Sequence, residues 1–156
     1  METCFINSPL GITKIVGDEN GISVISILAE GEVSKTIPKP LKECVAQLGD
    51  YFDGKRTEFT FTLNPTGTDF QQRVWQELLK IPFGKTISYL DLSKKTGDAK
   101  AIRAVASANG KNPLWIVIPC HRVIGTDGSL TGYAGGLWRK KWLLEHENPS
   151  NQQSLF

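Results

Sequence analysis

The chain has 156 residues, 40% hydrophobic and 22% charged, long enough to bury a sizeable core in one compact unit or two small ones. Near-average Gly and Pro usage excludes collagen-like and low-complexity chains, and no apolar run approaches the roughly 18 residues of a membrane span. The formal net charge is only +2, but residues 1–65 hold six Lys/Arg and nine Asp/Glu while residues 66–156 hold twelve and seven, so −3 sits beside +5.

The start, Met1-Glu2-Thr3-Cys4, has no basic leader. Cys4, Cys44 and Cys120 form no disulfide framework. A reduced, cytoplasmic, soluble protein is expected. Residues 11–16 and 22–27, rich in isoleucine and valine, flank the turn sequence Asp18-Glu19-Asn20-Gly21, which predicts a hairpin. Apolar residues at Leu41, Cys44, Val45, Leu48, Tyr51 and Phe52 have helical spacing, ended by Gly54. Phe59, Phe61 and Leu63 alternate with threonines as in a strand, and Asn64-Pro65-Thr66-Gly67 reads as a linker.

Beyond the linker the pattern turns helical. Phe70, Val74, Leu78 and Leu79 make one apolar stripe, stopped by Pro82 and Gly84. Ser88 followed by Asp91 predicts a capping box for a short helix closed by Gly97, and Asp98 caps the next helix, Ala99 to about Asn109. Two short helices across a tight turn have the shape of a helix-turn-helix. The second is rich in alanine, which suits either close helix packing or close approach to a groove. The basic balance of this half fits an anionic partner, or chance.

The run Trp115–Ile118 delivers Pro119-Cys120-His121-Arg122 on a stiff approach. A thiol attacks as thiolate, so its pKa of about 8.5 must be answered by nearby positive charge or a base. His121 and Arg122 are candidates for that field, and His146-Glu147 could supply an acid that orients an imidazole. On these residues alone, a buried structural cysteine with a capping histidine stays open, as does a cysteine hydrolase.

Ile118-Pro119-Cys120-His121-Arg122-Val123 resembles the signature of the O6-alkylguanine-DNA alkyltransferases. The resemblance extends in order through residues 70–75, 81–89, 103–105, 112–113, 133–137 and 140–147. It implies an α+β protein: a small N-terminal α/β, ribonuclease H-like domain (1–65), a mainly helical domain with a helix-turn-helix (66–148), and a tail (149–156).

The activity it implies is single-turnover DNA repair: Cys120 irreversibly takes the alkyl group from O6 of guanine, with O4 of alkylated thymine as a second candidate donor. It assigns proton withdrawal to His121, support of the imidazole to Glu147, a brace to Asn112 and a proton for the departing base to Tyr89. Arg103 would fill the stack left by a flipped nucleotide, with Ala101, Ala104, Ser107 and Gln71 on the DNA. Close backbone approach would also account for Ala106 and Ala108. Val123, Tyr133, Ala134, Gly135, Gly136 and Lys140 would line the base pocket. No cofactor is implied. Both histidines lie in the second half, so no metal site is expected, and the protein is expected to be a monomer on double-stranded DNA with no membrane partner.

A non-catalytic alkyltransferase-like protein would lack Cys120, and a plain helix-turn-helix regulator leaves Pro119–Arg122 unexplained. Gln152-Gln153-Ser154-Leu155-Phe156 resembles the bacterial sliding-clamp-binding peptide, with Gln152, Ser154, Leu155 and Phe156 as its contacts; a frayed tail is the alternative.

Overall fold

A computed structural model describes residues 1–149; the clamp-peptide residues Gln152, Ser154, Leu155 and Phe156 lie outside the described residues. The chain folds as two units, Met1–Thr66 with Pro113–Trp115, and Gly67–Asn112 with the residues from Ile116 onward.

In the first unit β1 (Glu2–Ser8), β2 (Gly11–Asp18) and β3 (Gly21–Leu28) form an antiparallel sheet in that order. The period-two alternation of a strand buries Thr13 and Ile15 on β2 and Ile25 and Ile27 on β3, with half-exposed residues between them. The expected hairpin closes through Glu19-Asn20, where the Asn20 N–H donates to the Asp18 carboxylate at 2.8 Å. A register shift follows Val16; a Cβ on Gly17 would stand 2.7 Å from the Gly21 carbonyl oxygen, so only glycine fits. Helix α1 (Lys42–Phe52) buries Cys44, Gln47, Leu48 and Tyr51. Cys4 joins Cys44 in this core, and burial pushes the Cys44 thiol up to about 12.

The expected strand at 59–63 is not a strand. Only Leu63 makes a bridge, parallel to Ile22. The backbone of Thr60 is satisfied by a side chain instead: its N–H donates to Gln47 Oε1 at 2.9 Å, and Gln47 Nε2 donates to its hydroxyl at 2.7 Å. Leu114 bridges β3 at Ile25. Strand β1, which the sequence reading did not assign, lies at one edge of the sheet, beside β2.

The second unit carries α2 (Asp69–Leu78), β4 (Ile87–Ser88), α3 (Tyr89–Lys95), α4 (Ile102–Gly110), β5 (Val123–Ile124) and α5 (Leu137–Glu147). Helix α2 opens on a capping box: Thr68 Oγ1 accepts the Gln71 N–H at 3.1 Å and Gln71 Oε1 accepts the Thr68 N–H at 2.9 Å. Its buried face is Val74, Trp75 and Leu78; Leu79, expected in the stripe, is exposed because it lies at the C-terminal end of the helix. The helix-turn-helix is present as α3 and α4, with Gly97 at φ +114° in the turn. Ser88 caps α3 by accepting the Asp91 N–H at 3.0 Å, and a tight 3₁₀ turn, Ala99–Ala101, precedes α4. β4 and β5 pair in parallel, Ile87 with Val123 and Ser88 with Ile124. That short ladder sets the start of α3 beside the Cys120 segment. No helix of the described residues is long and apolar enough to cross a membrane.

Candidate active site

The approach to Cys120 is tightly specified. Ile116 is buried with φ +75°, a left-handed conformation that a β-branched residue adopts only under constraint. Three residues later Pro119, at φ −80° and ψ 63°, makes an inverse γ-turn, in which the Cys120 N–H donates to the Ile118 carbonyl at 2.7 Å. The same carbonyl accepts Asn112 Nδ2 at 2.7 Å, and both residues are buried. Asn112 therefore braces the backbone that presents the thiol. Cys120-His121-Arg122 then forms one 3₁₀ turn that runs into β5.

Cys120 is 4% exposed. Burial pushes its thiol up to about 11, although Asn112 and the Lys140 ammonium both favour the thiolate. His121 is fully buried and its Nε2 lies 2.8 Å from Glu147 Oε2. Its Nδ1 has no hydrogen-bond partner among the described residues. Arg122 holds the same carboxylate with two bonds, Nε to Oε1 at 2.8 Å and Nη2 to Oε2 at 3.0 Å, and Nη1 donates to the Ile81 carbonyl at 2.7 Å. Burial opposes ionisation of Glu147, but His121 and Arg122 outweigh it and hold the carboxyl well below the usual carboxylate range. The Asn148 side chain, at the end of α5, donates to the Gly84 carbonyl at 3.0 Å. Gly84, at φ +81°, lets that turn close on α5.

Tyr89 opens α3, and Asn109 Nδ2 of α4 lies 3.4 Å from its hydroxyl. Burial raises the phenol pKa, Thr131 and Asn109 lower it, and Cys120 adds to the rise. Two basic residues in the first turn of α5 reach back to the loop before it: Arg139 Nη1 donates to the Gly135 carbonyl and Lys140 Nζ to the Thr131 carbonyl, each at 2.8 Å. Within that loop Ala134 is exposed and Gly135 buried, and Gly136 turns into the helix at φ +90°. Burial raises the Tyr133 phenol well above its ordinary value, and Cys120 acts in the same direction. Val123 is fully buried at the head of β5.

Cys120, Asn112, His121, Glu147, Tyr89, Tyr133 and Lys140 are thus linked in one cluster within the second unit. The proposed DNA contacts lie elsewhere on it. Arg103, Ala104, Ala106 and Ser107 are exposed on α4, and Ala101 is half-buried. Ala108 does not belong to that face: it is buried, and its carbonyl accepts Trp75 Nε1 at 2.9 Å, so its small size serves packing. Gln71 has its carbonyl oxygen committed to the cap of α2.

Arg122, Asn109 and Thr131 were not foreseen in these positions. Sequence adjacency suggested that Arg122 acts on the thiol; its side chain instead fixes Glu147. The charge pattern carried no signal that would single out Glu147 as its partner, since Glu145 stands two positions before it on the same helix.

Residues 2–65 match the family model described as the ribonuclease-like domain of 6-O-methylguanine DNA methyltransferase, and residues 69–149 match that described as its DNA-binding domain. A methylated-DNA–protein-cysteine methyltransferase of Methanosarcina barkeri is 44% identical over 149 residues, covering 91% of this chain and 94% of the relative. One from Mycobacterium tuberculosis is 47% identical over 147 residues, covering 91% and 89%. The crystal structure of Mycobacterium tuberculosis OGT in complex with DNA superposes with a TM-score of 0.87 at 44% identity, covering 96% of this chain and 94% of that one.

Proposed function

The chain belongs to the 6-O-methylguanine DNA methyltransferase family, with both domains present, and from that premise we propose that Cys120 is its alkyl acceptor. The protein is a DNA-repair methyltransferase that moves an alkyl group from methylated DNA to a cysteine of its own. The observation that carries the assignment is the buried thiol beside the His121–Glu147–Arg122 array, with His121 Nδ1 left without a hydrogen-bond partner among the described residues.

A buried ring nitrogen of that kind is ordinarily satisfied by water. A water bridging Nδ1 and Sγ passes the thiol proton to His121, and Glu147 stabilises the imidazolium. The sulfur attacks the alkyl carbon on O6 of guanine; the S–C bond forms as the C–O6 bond breaks, and the electron pair leaves with the base. Tyr89 protonates the departing guanine at N3. The thioether holds no proton to return, so each molecule acts once.

The guanine must leave the stack to reach Cys120. In this reading α4 enters the minor groove with Ala101, Ala104 and Ser107 against the backbone, Gln71 supports the contact, and Arg103 fills the gap. Val123, Tyr133, Ala134, Gly135 and Gly136 wall the base pocket, the Ala134 N–H donating to O6. The protein works in the cytoplasm as a monomer, and the peptide Gln152–Phe156 docks on the DNA sliding clamp. Deleting residues 152–156 should abolish retention on immobilised clamp with alkyl transfer intact; undiminished retention refutes the docking.

Intact-protein mass spectrometry after incubation with duplex carrying O6-methylguanine tests the reaction. A gain of one CH2 per molecule on Cys120 is expected, and none in Cys120→Ala. Continued conversion beyond one lesion per protein excludes the mechanism. In the same assay Arg103→Ala should lose more activity on duplex than on free O6-benzylguanine, and equal losses remove Arg103 from the flipping role.

A further inference from the structure

Asn109 stands in the last turn of α4 and is 4% exposed. Its Nδ2 donates to the Tyr89 hydroxyl at 3.4 Å, and its Oδ1, also buried, has no hydrogen-bond partner among the described residues. A carboxamide brings two N–H donors and an acceptor oxygen, and each group left unpaired in the interior costs free energy. Leucine has a similar shape and carries no such cost, so packing alone gives no reason for an amide at this position.

The amide meets the side chain to which proton donation is assigned. A phenol oxygen carries one hydrogen and accepts through its lone pairs. With Nδ2 donating to that oxygen, the hydrogen of Tyr89 stays available to a bound base, whereas a carbonyl in the same place would draw it away. The other neighbours do not duplicate this contact. Burial raises the Tyr89 phenol pKa and Thr131 opposes the rise, but the Thr131 hydroxyl has no hydrogen-bond partner among the described residues. Lys140 Nζ lies over the ring, 5.8 Å from its centre, and donates to the Thr131 carbonyl. Ser93 Oγ donates to the Tyr89 backbone carbonyl.

We propose that Asn109 is a positioning residue for alkyl transfer: its amide holds the Tyr89 hydroxyl with the hydrogen turned to guanine N3, and stabilises the phenolate that proton donation leaves. As the C–O6 bond breaks, its electron pair goes with the base and N3 takes the phenol proton. The negative charge then rests on the Tyr89 oxygen, where the bond from Nδ2 becomes charge-assisted and tightens. Solvent returns the proton to Tyr89 once the base has left. The proposal rests on Tyr89 being the proton donor.

A double-mutant cycle separates this role from a structural one. Single-turnover transfer from O6-methylguanine duplex is timed for the full-length protein, Asn109→Leu, Tyr89→Phe and the combined variant. Affinity for the same duplex is measured by anisotropy with Cys120→Ala added to each. Asn109→Leu should slow transfer about tenfold or more, the loss expected for one hydrogen bond to a charged group. Its affinity should stay within about twofold, because the bond matters only as the base departs. In the Tyr89→Phe background the same substitution should change the rate by less than about twofold, since the hydroxyl it serves is already gone.

Asn109→Ser runs through the same cycle as a second variant. Its side chain is too short to reach the phenol and too small to disturb α4, so it should reproduce the pattern if leucine is not accepted at this buried position. Equal losses in the two backgrounds would make Asn109 a support of α4 alone and overturn the proposal. So would a loss confined to affinity, or transfer undiminished in both variants. Tyr89→Phe reacting at the wild-type rate removes Tyr89 as the donor and the proposal with it. A slow Tyr89→Phe beside unimpaired Asn109 variants removes Asn109 only, so the two failures are distinguishable.

Discussion

The Cys120-His121-Arg122 triplet looks like a thiol with two activating cations, but the side chains divide differently. His121 and Arg122 both turn to Glu147, and the cation that acts on the thiol, Lys140, lies twenty positions along the chain. Adjacency in sequence says which residues share a turn; only the return of α5 decides which partners they meet. Arg122 has a consequence for stability. Its guanidinium is 8% exposed and paired with a carboxylate 1% exposed. Removing one partner of such a pair typically costs about 3–5 kcal/mol, because the other charge stays buried. Glu147→Gln should therefore lower stability by that order at neutral pH in urea denaturation. The pH dependence has a definite sign. The folded carboxyl is held below its ordinary value of 4.5, so the unfolded chain binds the proton more readily as pH falls through that value. Stability from this group is complete above about 4.5 and is lost progressively with acid, and Glu147→Gln should flatten that part of the profile. An unchanged acid profile in the variant would show that Glu147 does not carry it.

At the scale of elements, local rules read best where the backbone satisfies itself locally. The hairpin of β2 and β3, helix α1 and the α3–α4 pair were legible because turn residues, helical spacing and caps act within a few positions. Where a side chain from elsewhere takes over a backbone group, the pattern misleads. Phe59–Leu63 alternates like a strand, yet the buried Gln47 of α1 holds Thr60 and leaves one bridge at Leu63. The capping box at Thr68 and Gln71 was present in the sequence but lay against the expected linker; the ring of Trp75 packs onto Gly67 so closely that a Cβ there has no room. The pairing of β4 with β5 spans two residues on each side, too short for any periodicity to register. It is nonetheless what sets Tyr89 at the head of α3 beside the turn carrying Cys120. The chemistry of the site was written in the motifs; its assembly depended on contacts that no local window contains.

For the whole molecule, the net charge of +2 combines an acidic first part with a basic second part of +5. The α4 surface proposed to meet DNA is mostly small: Ala104, Ala106, Ser107 and Gly110 are exposed there, with Arg103 as the cation among them. Such a surface approaches the backbone closely but neutralises few phosphates. Each neutralised phosphate contributes about −0.9 to the slope of log affinity against log salt. About three contacts give a slope of about −2.7, so a fourfold rise in salt should weaken binding to undamaged duplex by about 40-fold. Fluorescence anisotropy of a labelled duplex measures that slope directly, and transfer from free O6-benzylguanine supplies a salt-insensitive control on the same protein. A loss of about a thousandfold or more would mean that at least five phosphates are engaged, and discrimination would then have to be sought in charge. With the shallow slope, undamaged sites would be released readily, and discrimination would be sought in the pocket around the buried Cys120 thiol.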